Sequence, residues 1–426
     1  MKKRTITVGR NQGDIRGKDN RAIQKAIDAL AAKGGGTVKV LPGEYVLNGS
    51  IRMRSNIHLL GDRDRTILKR CAAVASLLKL DADIGQKQIT PVNAAGFKAG
   101  MGISCHGRRV ANSTMPWTLV RKNKGILYLD SYIEQNYNAE HGEWVTNMFP
   151  LIQGCEIENV RVEGFTLDSK VKNIAGVRLV WGGGLYFRRC KHGVIREITS
   201  INCNGDGLRW GQSEHVTVED CEVAYNTHYG LHPGSHSPFT TIQRCHIHHN
   251  GSDGLYACWG VSNSKFVDNV IHHNGFRIYR NGFCIGHKDT DCLIARNRIF
   301  ANAKHGIHVR KKTEGNGAHR NVYQDNIIED NGLPFSKVPS FLKKSLPREE
   351  LGGCGVYVAG ITHDLVFENN IVRETRQGKQ RHQLHGFYLE PGVRRLKMKG
   401  NHINRHPLKT IMDNSGSRDN KLQKIK

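Results

Sequence analysis

Apolar and polar residues alternate along this chain in short runs, and the runs recur. The unit Gly–apolar–X–apolar opens at Gly184, Gly207, Gly230, Gly254, Gly282, Gly306, Gly355 and Gly386, at spacings of 23, 23, 24, 28, 24, 49 and 31. The gap of 49 holds either two repeats or one repeat plus the Pro/Lys/Ser-rich stretch around residues 333–350. Two polar lines run in phase. Cys221, Cys245, Asn269, Asn297, Asn326, Asn370 and Asn401 form one, and Asn226, Asn250, Asn274, Asn302 and Asn331 the other. A period of about 24 made of short strands predicts an all-β chain, a parallel β-helix with one coil per repeat. Side chains on a strand alternate between faces. Leu185, Leu208, Leu231, Leu255, Phe283, Ile307, Val356 and Phe387 then form one inward stack. Phe187, Trp210, Pro233, Ala257, Ile285, Val309, Val358 and Leu389 form the next. The asparagines are expected to satisfy turn backbone groups from coil to coil. The Leu-x-x-Leu-x-Leu frame of a leucine-rich repeat does not recur, and a propeller needs blades of about 40 residues.

The open end of such a solenoid needs a cover. Residues 19–33 read as an amphipathic helix, with Asp19 as N-cap, an apolar face of Ala22, Ile23, Ala26, Ile27 and Leu30, and a stop at Gly34. The expected layout is one continuous solenoid. Residues 1–70 hold the cap helix and first coils, and 71–150 irregular coils with long loops. Residues 151–410 hold regular coils with the insertion near 333–350, and 411–426 a basic tail.

Charge adds a partner. The 426 residues carry 63 Lys and Arg against 38 Asp and Glu, a net +25 that calls for a polyanion. Nucleic acid, anionic lipid and acidic polysaccharide all qualify. No helix-turn-helix, zinc-finger or RNA-recognition pattern occurs, which argues against nucleic acid. No run of 18 apolar residues occurs, so no membrane span is expected. With 47 glycines and only 11 prolines, the composition excludes collagen and argues against disorder. The eleven cysteines are odd in number and lack any Cys-x-x-Cys pair, so they read as reduced, buried thiols. Residues 1–12 are basic without an apolar core, so no secretory signal is read and a cytoplasmic location is expected.

Residues 19–51, from Asp19 through the Gly34-Gly35-Gly36 stop to Ile51, resemble the entry segment of pectate-lyase-like right-handed β-helix proteins. The repeats between Gly154 and His402 resemble the parallel-β-helix repeats of that superfamily. The resemblance implies a right-handed parallel β-helix with an N-terminal capping helix, acting on polysaccharide. Polysaccharide lyases, uronate epimerases and glycoside hydrolases share that fold, so the resemblance does not choose the reaction. Mannuronan epimerases of the superfamily carry Asp-Pro-His-Asp after Tyr-Gly-apolar. Here the frame is Tyr229-Gly230-Leu231-His232-Pro233-Gly234-Ser235, without either acid and with the histidine moved. The acidic cluster through which pectate lyases hold calcium has no aligned counterpart in the outward columns, so no calcium is expected.

Function is expected on outward positions, because inward ones are packed. The outward column reads Tyr186, Arg209, His232, Tyr256, Cys284, His308, Tyr357 and Tyr388. The next reads Arg188, Gly211, Gly234, Cys258, Gly286, Arg310, Ala359 and Glu390, its small residues opening space beside large polar ones. Eliminating or epimerising a uronic acid needs a cation on the carboxylate, a base for the C5 proton and an acid for the leaving oxygen or the opposite face. Arg209 or Arg310 suits the first job, His232 or His308 the second, and Tyr256 the third. Trp259, His287, Lys288, Asp289, Lys311 and Glu314, just beyond the strand, are read as substrate contacts. The favoured reading is a lyase working by β-elimination on an acidic polysaccharide. A glycoside hydrolase is the alternative, needing two carboxylates about 5–9.5 Å apart, for which Asp289, Asp291 and Glu314 are candidates. A non-catalytic binding or tail-fibre-like protein is the third. A transition metal at His248 and His272, one coil apart, stays open as a side reading.

Overall fold

Three short strands per repeat follow from three apolar–polar alternations separated by turns. The computed structural model describes residues 4–107, 115–169, 183–344, 352–404 and 406–423. They fall into two units, Met1–Phe187 with Thr199–Leu208, and Arg188–Ile198 with Arg209–Lys426.

The second unit is a right-handed parallel β-helix. Its first ladder runs Thr217–Glu219, Thr241–Gln243, Lys265–Val267, Leu293–Ala295, Val322–Gln324, Val366–Glu368 and Lys397–Lys399. Its second runs Glu222–Ala224, His246–His248, Val270–His272, Arg298–Phe300, Ile327–Glu329, Ile371–Arg373 and His402–Asn404. The third contains Leu231–Gly234, Leu255–Tyr256, Phe283–Ile285, Ile307–Val309, Gly353–Val358, Gln383–Leu389 and Lys409–Asp413. The inward register is the one the repeats predict: Leu231 pairs with Leu255, then Phe283, Ile307, Val356 and Phe387, all at most 1% exposed. Because Ile307 pairs directly with Val356, the gap of 49 is one repeat plus the insertion, whose residues 345–350 lie outside the described ones.

Both asparagine lines are ladders. Asn250 donates from N and Nδ2 to Asn274 Oδ1, Asn274 to Asn302, and Asn302 to Asn331, at 3.0–3.1 Å. Gln383 continues the line, accepting from Asn331 N and Nδ2 at 3.0 Å. All eleven thiols are free and nine are buried, as expected of cysteines that pack as small apolar groups.

In the first unit the predicted helix forms at Asn20–Ala31, its amide donors capped by Asp19 Oδ1, which accepts from Arg21 N at 2.9 Å. Ala22, Ile23, Ala26, Ile27 and Leu30 are its buried face. Parallel coils follow, with Ile152–Asp168 pairing with Ile51–Arg52, Ile57–Leu60 and Thr66–Arg70. The stretch 71–150 departs from the expectation of irregular coils. It holds a six-stranded antiparallel sheet in the order Ala75–Leu77, Trp144–Thr146, Gly102–His106, Trp117–Asn123, Ile126–Leu129 and Gln88–Ile89. Phe97, Ile103, Trp117, Leu119, Leu127 and Tyr137 build its own apolar core. Antiparallel strands need no repeat, so this sheet leaves no periodic trace in the sequence. In the tail, Lys409–Asp413 adds one more strand, and residues 424–426 lie outside the described ones.

Candidate active site

The third ladder's outward column gathers the polar side chains into contact. Arg209 Nη1 lies 3.1 Å from His232 Nδ1. A guanidinium only donates, so Nδ1 holds the lone pair and neutral His232 carries its proton on Nε2. Tyr229 stacks flat on Tyr256 of the next coil, with centroids 4.1 Å apart and an interplanar angle of 3°. His232 meets both rings edge-on, at 4.8 and 5.2 Å. Arg310 reaches back across two coils. Its Nη1 donates to Tyr256 Oη, its guanidinium lies 4.6 Å from that ring's centre, and its Nη2 donates to Gly286 O at 2.9 Å and Ala257 O at 3.3 Å. Arg209, His232, Tyr229, Tyr256 and Arg310 thus form one connected set. Burial, then neighbouring Tyr229, hold the Tyr256 phenol far above its ordinary pKa, so it stays protonated.

Two expectations are corrected here. The outward column, expected to carry function beside opened space, is closed over at its centre: Arg209 is 2% exposed and His232 5%. Rings on rungs about 4.8 Å apart cover one another. Nor do the glycines leave an open floor. A Cβ on Gly234 would sit 3.1 Å from His232 Nε2, and one on Gly286, where φ is +158°, 2.8 Å from Arg310 Cβ. The space that glycine opens is filled by the histidine on its own strand and the arginine of the next coil.

His308 lies on the strand Ile307–Val309, just before Arg310, but joins a separate group. Its Nδ1 faces Asn281 Nδ2 at 3.4 Å and Cys284 Sγ at 3.9 Å, and its ring meets His305 and Tyr357 edge-on at 5.5 and 5.6 Å. Burial, helped by Lys304, Arg310 and Arg280, pushes its pKa well below the usual histidine range.

The rim is exposed. Trp259 presents 59% of its surface, and His287 tilts against it at 4.7 Å. Burial first, then Lys312, Arg310 and Lys288, lower the His287 pKa, so the imidazole is neutral near pH 7. Its Nδ1 has no hydrogen-bond partner among the described residues. Lys288 is exposed beside it. Lys311, also exposed, lies 3.4 Å from Glu390 Oε2, and Glu390 Oε1 accepts from Tyr357 Oη at 2.6 Å.

The carboxylates are differently placed than a groove requires. Asp289, read as a substrate contact, is fully buried. It accepts from Gly260 N, Val261 N and Gly286 N at 2.8–2.9 Å and staples two turns, and burial lifts its pKa to about 7. Asp291 is bound by Arg320 through two bonds of 2.7 and 2.8 Å, and Glu314 is paired with Arg394. All three carboxylates are engaged, one by backbone amides and two by arginines. Tyr229 was not singled out from the sequence as a site residue. Its signal is the position before the repeat glycine, where other coils carry Asp253, Asn281 and His305.

A family model described as "right handed beta helix region" matches residues 119–257, 150–322 and 240–424, which together span most of the chain. The chain belongs to the right-handed β-helix family. A second model, "Rhamnogalacturonase A/epimerase, pectate lyase-like", matches residues 10–160 of this family member. Among curated relatives, mannuronan C5-epimerase AlgE3 of Azotobacter vinelandii is 24% identical over 330 residues, covering 76% of this chain and 13% of that protein. Mannuronan C5-epimerase AlgE2 of the same organism is 23% identical over 329 residues, covering 75% and 24%. The β-helix chain therefore spans a quarter or less of these two relatives' length. Of solved structures, the A-module of mannuronan C-5 epimerase AlgE4 from Azotobacter vinelandii superposes with a TM-score of 0.59 at 14% identity, covering 96% of this chain and 95% of that one. PfbA, a surface adhesin of Streptococcus pneumoniae, superposes with a TM-score of 0.54 at 12% identity, covering 95% and 93%. An epimerase module and an adhesin share this scaffold, so the structural likeness establishes fold alone.

Proposed function

We propose that this β-helix protein acts on a uronic-acid polysaccharide, removing the C5 proton of a residue bound across Trp259, His287 and the Tyr256–Arg310 pair, and that it completes the reaction by β-elimination. The observation that carries the reading is the Arg310–Tyr256 contact beside a neutral histidine on an exposed aromatic rim. Trp259 offers a flat face on which a sugar ring stacks. Arg310 supplies the cation that makes the C5 proton acidic. His287 takes that proton. Tyr256, kept protonated by burial, gives its proton to the leaving oxygen, and the Arg310 guanidinium already on Oη stabilises the phenolate that forms. The bond between Arg209 and Nδ1 argues against His232 as the base and leaves that role to His287. The mannuronan epimerases among its sequence relatives support a second reading, in which the same carbanion is reprotonated on its other face.

A panel of uronic-acid polymers separates the readings. A 4,5-unsaturated product supports elimination, and a changed uronate ratio without chain cleavage supports epimerisation. New reducing ends without unsaturation mean hydrolysis. No change in any polymer leaves a binding protein.

The base assignment has a pH signature. His287 must be neutral to accept a proton, and its pKa in the folded protein lies below the ordinary ~6.5. kcat/KM is therefore expected to hold as the pH falls past that value, and to decline only through the lowered one. His287→Ala is expected to lower turnover by about 10²-fold or more and to abolish that acid limb. An unchanged limb in the variant would place the base elsewhere.

Charge at the rim is expected to act locally. Lys288→Ala with Lys311→Ala removes two cations beside the site, and Lys397→Ala with Lys399→Ala removes two exposed ones from the first ladder. Exposed attraction is screened over about 8 Å at physiological salt. Binding to polyuronates across a salt series should weaken mainly in the first pair, with a flatter salt dependence. Equal losses in both would mean nonspecific attraction by net charge.

A further inference from the structure

The second ladder carries a cluster that the proposed reaction does not use. Strand alternation turns Glu222 and Ala224, His246 and His248, and Val270 and His272 outward on three successive coils, while Val223, Ile247 and Ile271 fill the core. His246 and His248 are two residues apart on one strand, so both imidazoles rise from the same face. The register brings two more donors to them diagonally. Glu222 Oε1 lies 3.2 Å from His248 Nε2, and His272 Nε2 lies 2.7 Å from His246 Nε2. The donor atoms of Glu222, His246 and His248 all lie within 4.8 Å of one another.

We propose that Glu222, His246, His248 and His272 form a binding site for a divalent late first-row transition ion of the zinc or nickel class, clamping three coils of the β-helix.

The donor set suits that class. Imidazole nitrogen with one carboxylate oxygen is a borderline set that favours zinc, nickel or copper over calcium or magnesium, which take oxygen ligands. Bonds of about 2.0–2.2 Å need donors a little over 3 Å apart, a convergence that asks only for side-chain rotation of the exposed His246 and half-exposed Glu222.

The second observation lies behind the donors. His248 Nδ1 faces His249 Nδ1 at 2.8 Å, and His272 Nδ1 faces His273 Nδ1 at 2.7 Å. The same pair is thus built twice, one coil apart, and the rings stack in register: His248 on His272 at 5.1 Å and 4°, His249 on His273 at 5.0 Å and 6°. With each Nδ1 engaged by its neighbour, each Nε2 is turned toward the cluster, the outer-shell arrangement that orients a metal-binding histidine. His249 and His273 hold their rings there from left-handed turn positions, at φ +54° and +53°. Tyr225 stacks on His249 at 5.1 Å, covering one end of the His249–His273 column, and Phe300 stacks on His272 at 4.7 Å, covering one end of the His248–His272 column.

The competing account is a ladder of stacked rings with no ion, and titration of the untagged, chelator-stripped full chain decides between them. Zinc chloride and nickel chloride are each added in separate calorimetric and equilibrium-dialysis series. One ion per chain is expected, with a rise in melting temperature as the ion saturates the folded state. His246→Gln combined with His272→Gln is expected to weaken that site roughly 100-fold or more, as loss of two ligands should exceed the 10–100-fold typical of outer-shell changes. His215→Gln, in the stacked His192–His215 pair elsewhere on the β-helix, is expected to leave it intact. Should the double variant melt lower than wild type in the absence of metal, Glu222→Gln on the exposed carboxylate carries the same decision. Wild-type protein that takes up no stoichiometric ion, or ligand variants that bind as wild type does, would overturn the site.

Discussion

Leu231→Asp should abolish the folded second unit, leaving an aggregated or unfolded chain in circular dichroism and gel filtration. Leu231 is fully buried and stands in one continuous stack with Leu255, Phe283, Ile307, Val356 and Phe387. A carboxylate there has no cation or donor, and an uncompensated buried charge costs several kcal/mol or shifts to the neutral acid at similar expense. Domains have only about 5–15 kcal/mol to lose. In a solenoid the damage concentrates at one interface between coils, so neighbouring rungs lose their support as well. A soluble, cooperatively melting Leu231→Asp protein would mean that the register is off by one residue. His232 would then face inward, and every assignment on the outward column would fall with it.

Tyr256→Phe is expected to lower turnover by about 10²–10⁴-fold while leaving the melting temperature close to wild type. The substitution removes one oxygen and keeps the ring. The stack on Tyr229, the edge contact with His232 and the guanidinium over the ring all remain available to phenylalanine. What is lost is the proton donor and the acceptor of the Arg310 bond. Because proton removal from C5 precedes leaving-group protonation, the variant should still exchange that proton with solvent. Turnover near wild type would make Tyr256 a stacking rung and move the acid elsewhere.

The repeats carry their own register, so two inward stacks and the two asparagine ladders are legible in the sequence. An apolar residue at a fixed offset from each glycine admits only one facing. What the alternation does not encode is which outward positions stay wet. Arg209 and His232 alternate correctly and are still buried, because rings on adjacent rungs cover each other and glycine gaps admit side chains from the same strand or the next coil. The pairing that reassigns His232 is a side-chain hydrogen bond between coils, and nothing in the spacing of Arg209 and His232 specifies which imidazole nitrogen receives it. Asp289 looked like a rim carboxylate because it follows His287 and Lys288, yet a turn folds it inward onto three backbone amides. The antiparallel sheet of 71–150 left no repeat to read, and its core becomes visible only when Phe97, Trp117 and Tyr137 come together. The histidine cluster was visible as aligned pairs, but the diagonal contacts of His246 with His272 and of Glu222 with His248 depend on rotamers rather than on alignment.

The central claim is proton abstraction at C5 of a uronate, common to elimination and epimerisation. It is tested most directly by incubating saturated oligouronates with the enzyme in deuterium oxide and following the C5 position by nuclear magnetic resonance. Wild-type protein should form the unsaturated product, whose C5 carries no hydrogen, Tyr256→Phe should instead exchange deuterium into C5 of the uncleaved oligomer, and His287→Ala should do neither. Chain cleavage without C5 deuterium or unsaturation, or binding of the oligomers without any exchange, would contradict the account.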